Sequence, residues 1–111
     1  MNYDFTLLQG SDFELTITLK DSTNAVRDLT GKSFRGQARR QLAQTQADIE
    51  FIFESTDLVN GEFKLKIPAA LSTALSLRQK TFLFYDVEMF DLSSVERIIQ
   101  GRITLDPEVT R

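Results

Sequence analysis

The side chains best spaced for chemistry are Asp86 and Glu88, two residues apart in the alternating stretch Phe82 to Phe90. On an extended strand such a pair shares one face, with Cα atoms roughly 6 to 7 Å apart, a separation compatible with acid/base work on a glycosidic bond. Acids at i and i+2 equally suit the solvated face of an antiparallel strand, where they resist edge-to-edge pairing. The latter reading is preferred and no catalytic residue is assigned. A second cluster is basic, Gly31 to Arg40 with Arg27 just upstream, and alternation projects Arg35 and Arg39 from one face. Such a face can meet phosphates or an acidic partner. With 13 Lys and Arg against 16 Asp and Glu, a net charge of −3, a solvated face paired to acids such as Glu50 or Glu54 is preferred, and no nucleic-acid partner is expected. Gly31-Lys32-Ser33 matches the end of a phosphate-binding loop, but Val26 stands where that motif needs its first glycine.

There is no cysteine and no histidine. Disulfides, thiolate nucleophiles, Cys/His zinc sites, Ser-His-Asp triads and imidazole bases are thereby excluded. No cluster of Asp residues at loop spacing offers a metal site, so neither metal nor cofactor is expected. A more informative feature is a surplus of apolar side chains on the parity that should face water. Phe82, Phe84 and Phe90 oppose Leu83, Tyr85, Val87 and Met89, while Ile52 and Ile98 each fall out of phase with the inward set of their own strand. Either the short helix and long connections cover these residues within the monomer, or they form a subunit interface, where aromatic side chains are enriched. The interface reading assigns contacts to Phe82, Phe84, Phe90, Ile52 and Ile98, with Arg35 and Arg39 as a polar rim.

The elements that must position these residues announce themselves by period-2 alternation. Phe13, Leu15, Ile17 and Leu19 alternate with Glu14, Thr16, Thr18 and Lys20; Tyr3 to Leu8 precedes them as a strand, broken off at Gln9-Gly10-Ser11. Asp21-Ser22-Thr23-Asn24 is turn chemistry, since short polar side chains bond their own backbone and Asn tolerates the left-handed region. Ser33 to Gln41, Ile49 to Glu54 and Phe63 to Ile67 continue the pattern, and small Gly36 and Ala38 suggest a close neighbour. Asn60-Gly61 predicts a type I′ reversal. Pro68 and the following Ala-Ala-Leu-Ser-Thr-Ala-Leu predict a short helix near residues 68–77, with Ala70, Leu71, Ala74 and Leu75 on its inner face. Phe82 to Phe90 and Val95 to Asp106 are the last strands, turning at Asp91 to Ser94; Gly101 marks a bulge or a close backbone approach.

Seven or so strands with one short helix predict a mostly β fold, an antiparallel β-sandwich forming a single domain over residues 1–111. The strand tryptophan and cysteine pair of antibody domains are missing, so an immunoglobulin-like assignment rests on strand count and order; an open barrel is the alternative. A composition of 41% hydrophobic and 26% charged residues suits a globular chain. The start lacks a basic segment and no apolar run reaches the ~18 residues that span a bilayer, so a soluble protein made in the cytoplasm, with no membrane partner, is expected.

Taken in order, several segments resemble a known group. They are Gln9-Gly10 with the strand to Lys20, Asp28-Leu29-Thr30-Gly31 leading to Phe34–Arg39, the helical Ala69–Leu75, Tyr85-Asp86-Val87-Glu88, and the ending from Gln100-Gly101 through Pro107-Glu108-Val109-Thr110-Arg111. Together they resemble the N-terminal domain of phage baseplate upper proteins and related small tailed-phage virion proteins of immunoglobulin-like fold. The resemblance implies a non-enzymatic attachment or assembly module of a phage or prophage tail or baseplate. Its partners would be other phage structural proteins, with a homo-oligomer among the possibilities, and its location the virion, after synthesis in the host cytoplasm. Larger proteins of this group continue into receptor-binding or trimerising regions that the sequence to Arg111 does not include. The alternatives are a carbohydrate- or receptor-binding β-sandwich, for which Tyr3 and Tyr85 are the only tyrosines, and a phage assembly factor that leaves the particle.

Overall fold

A computed structural model describes residues 2–41, 43, 45–75 and 79–107. Alternation becomes strand wherever one parity is apolar enough to line a core. The strands are β1 (Phe5–Leu8), β2 (Phe13–Thr18), β3 (Ser33–Arg39), β4 (Ile49–Glu50), β5 (Ile52–Asp57), β6 (Glu62–Ile67), β7 (Thr81–Phe90) and β8 (Val95–Asp106), with a 3₁₀ turn at Leu58–Asn60 and one helix, α1 (Ala69–Thr73). They form two sheets, β1-β8-β7-β3-β4 and β2-β6-β5. The inner faces share one core, in which Phe34 stacks on Phe63 at 4.0 Å and Phe5 on Phe13 at 4.6 Å between ring centroids. The fold is therefore mostly β, in two layers.

Three local expectations are corrected. The sheets are not wholly antiparallel: β1 runs parallel to β8, from Phe5 beside Ile103 to Leu8 beside Asp106. The chain leaves β1 directly for the other sheet through Gln9-Gly10-Ser11, so no hairpin constrains its direction. The reversal at Asn60-Gly61 is not type I′. Only Gly61 has a positive φ, at 76°, and four residues separate the closing pair Asp57 and Glu62. The longer loop lets Leu58 pack against the core while its carbonyl accepts the Leu29 N–H at 2.8 Å.

The helix is shorter than expected and turned differently. Pro68 is its extended N-cap, Ala70 and Ala74 are exposed, and the buried residue is Ser72. Polar tethers decide this orientation. The Ala69 N–H donates to Asp12 Oδ1 at 2.8 Å, and the Gly10 N–H donates to Ser72 Oγ at 3.0 Å. The Gln9 amide donates to the carbonyls of Ser72 and Leu75 at 3.2 and 2.7 Å, satisfying groups that a short helix leaves open. The expected extension to residues 76 and 77 lies outside the described residues, as do residues 108–111 of the resemblance.

Glycines record where backbones meet. A Cβ on Gly36 would stand 2.7 Å from the Phe51 ring and 2.9 Å from the Asp86 carbonyl oxygen. Phe51 is the corner at which the chain passes from β4 in one sheet to β5 in the other, and its N–H donates to the Gly36 carbonyl at 2.9 Å. Gly101 is a close approach: a Cβ there would overlap the Tyr3 carbonyl oxygen.

Candidate functional site

Strand β7 is the centre of the candidate surface because it lies between β8 and β3. Its inward parity, Leu83, Tyr85, Val87 and Met89, is buried; its outward parity presents Phe82, Phe84, Asp86, Glu88 and Phe90. Register then sets the neighbours. Arg39 of β3 and Arg102 of β8 flank Phe84, and Arg35 and Arg97 flank Glu88.

One end of this face is internally neutralised. Arg35 Nε lies 2.7 Å from Glu88 Oε1 with its guanidinium 4.8 Å above the Phe90 ring, and Arg97 Nε lies 3.4 Å from Asp86 Oδ2. The two carboxylates singled out from sequence are thus each engaged by an arginine of an adjacent strand. Just beyond Phe90, Lys32 Nζ reaches Asp91 Oδ2 at 2.5 Å, which holds the Asp91 carboxyl well below the usual carboxylate range.

The other end is not neutralised. Phe82 and Phe84 are 48% and 43% exposed. The Arg102 guanidinium lies 4.6 Å over the Phe82 ring, a cation–π geometry. Arg39 donates from Nη2 to Gln37 Oε1 at 2.8 Å, while its Nε is buried without a hydrogen-bond partner. Among the described residues, neither Arg39 nor Arg102 takes part in an ion pair. A depression of about 770 Å³ lies here, bordered by Arg39, Phe84, Asp86, Arg97, Arg102 and Asp4.

Its floor is fixed by the N-terminal segment. The Tyr3 N–H donates to the Gln100 carbonyl at 2.9 Å, and Asp4 Oδ1 accepts the Arg102 backbone N–H at 2.9 Å. Tyr85 lies beneath, donating its hydroxyl to the Tyr3 carbonyl. Burial above all, then the charge of Asp4, pushes the Tyr85 phenol upward from its ordinary value. Tyr85 is therefore a buried support and not a platform for a sugar ring.

The seven residues assigned to contacts from sequence do not form one patch. Phe82, Phe84 and Arg39 gather at one end of the outer face, Phe90 and Arg35 at the other. Ile52 is 48% exposed but lies on the outside of the other sheet, opposite Lys66. Ile98 is corrected outright: it is 6% exposed and belongs to the core. The ladder pairs Val87 with Ile99 and Glu88 with Arg97, so Ile98 is the extra residue of a bulge and turns inward beside Ile99. Arg102 was missed. Alternation marks Arg102 as outward, but folding back about the Asp91–Ser94 turn alone would pair Phe84 with Gly101; the bulge at Ile98 shifts the register by one and puts Arg102 beside Phe84. No protein-family model matches the sequence, and no curated protein matches it either.

Proposed function

We infer that this chain is a non-enzymatic structural protein of a tailed-phage or prophage particle, an attachment or assembly module of the tail or baseplate. It acts in the virion through protein–protein contacts of the outer β7 face. The observation that carries this reading is the pair of exposed phenylalanines, Phe82 and Phe84, framed by Arg39 and Arg102. Aromatic and arginine side chains are the types that dominate binding energy at protein interfaces.

The segments that resemble phage virion proteins occupy coherent positions. Asp28 to Gly31 is a turn in which Asp28 Oδ1 accepts the Thr30 N–H and buries Leu29; Tyr85 to Glu88 is the middle of the central strand. Strand order supports an immunoglobulin-like sandwich. The neighbours β8-β7-β3-β4 facing β2-β6-β5 follow the G-F-C-C′ and B-E-D arrangement of variable-type domains. Catalysis has less support, because Asp86 and Glu88 are both engaged by arginines.

The double substitution Phe82→Ser, Phe84→Asp tests the reading. The variant is expected to keep the circular dichroism spectrum and to change folding stability by less than about 1 kcal/mol. In a phage stock dependent on it, the variant should fail to enter particles. An unfolded variant, or one incorporated at the normal level, would contradict this assignment of the face.

A further inference from the structure

We propose that the Phe82/Phe84 patch docks the acidic end of a second copy of this chain, giving a head-to-tail contact; the proposal rests on the assembly role inferred above. Two surfaces of the monomer are each left incomplete, and they are complementary. The first is the row Arg39, Phe84, Arg102, where neither guanidinium has a carboxylate partner among the described residues.

The second lies at the opposite end of the strands. Asp57 and Glu62 stand directly opposite each other as the closing pair of β5 and β6, a like-charge juxtaposition that is unfavourable within one molecule. Their side chains accept only neutral donors, from Asn60 and Thr56. Asp28 belongs to the same end, because the next residue, Leu29, donates its N–H to the Leu58 carbonyl of the intervening turn. Among the described residues, Asp57, Glu62 and Asp28 take part in no ion pair; of the cations nearby, Arg27 is held by Glu96 and also faces Asp21, and Lys20 is exposed.

The two surfaces cannot meet within one chain. The Lys32–Asp91 pair ties the segment after Asp28 to the Phe90 end of β7, and Phe84 lies six residues back along that strand, roughly 20 Å away at the strand rise. A contact between two different surfaces is heterologous, so it propagates into a ring or a filament instead of stopping at a dimer.

Sedimentation equilibrium of the full chain at low salt tests the contact. Weight-average mass should rise above 12.7 kDa with concentration, and fall back as salt screens the charges. Two neutralised variants, Arg39→Gln with Arg102→Gln, and Asp57→Asn with Glu62→Gln, should each associate at least 10-fold more weakly alone while keeping the native circular dichroism. Mixed in equal amounts, they should form a 1:1 pair and go no further, because one intact patch meets one intact acidic end. A wild-type chain that stays monomeric at millimolar concentration, or a mixture that stays monomeric, overturns the proposal. A monomeric chain that is still a fixed component of phage particles would overturn only the self-contact, whereas self-association by a chain absent from particles would overturn only the virion reading.

Discussion

Gly101 and Tyr85 act together, and single substitutions should separate their contributions. The Tyr3 carbonyl oxygen fills the space where a Gly101 Cβ would be, and it is backbone, so it cannot swing aside as a side-chain end would. Gly101→Ala should therefore push the N-terminal segment off β8 and cost about 2 to 3 kcal/mol, read by urea denaturation. Tyr85→Phe removes the donor to that same carbonyl and should cost about 1 to 2 kcal/mol, with faster amide exchange at Tyr3 as its local signature. The phenol adds a pH dependence of definite sign. Its folded value lies above the unfolded value of about 10, so its contribution is complete below pH ~10 and is lost as pH rises beyond it. Tyr85→Phe should flatten that alkaline loss of stability, and an unchanged alkaline limb would show that the hydroxyl is not held as described.

At the scale of elements, four carboxyls hold turns and connections together, and all four are depressed from their ordinary values. Asp91 is lowered first by the Lys32 ammonium and then by the Ser93 backbone, Asp21 by the Thr23 hydroxyl, Asp28 by the Thr30 hydroxyl, and Glu96 by the Arg27 guanidinium. The unfolded chain takes up these protons first, near pH ~4. The stabilisation is thus present above that pH and is lost as pH falls through the lower folded values. The urea midpoint should be flat from about pH 7 to 5 and drop below about pH 4, and Asp91→Asn should lower the plateau and shrink the drop.

Strand faces were legible in the sequence because a half-buried strand must alternate, which is why Leu83, Tyr85, Val87 and Met89 separated cleanly from the outward residues of β7. The positions that escaped depend on long-range partners. Ile98 turns inward only because of a bulge against β7, and Ser72 is buried only because Gln9 and Gly10 supply its hydrogen bonds. The parallel β1–β8 pairing and the switch of sheets at Phe51 likewise depend on distant chain. Alternation shows which face is wet, whereas the clustering about Phe84 follows from the register of distant β3 for Arg39 and from the bulge in the β7–β8 hairpin for Arg102.

For the molecule as a whole, two β-sheets bury one core and leave one long face carrying an aromatic and arginine patch at one end and an ion-paired array at the other. That division gives the outer face a direction along the strands. The assignment to a phage particle is tested most directly by quantitative mass spectrometry of gradient-purified particles from the source, with tails separated from heads. A fixed stoichiometry in the tail fraction is the predicted result. Absence from intact particles, with the chain abundant in the lysate, would contradict it and assign the protein to assembly or regulation instead.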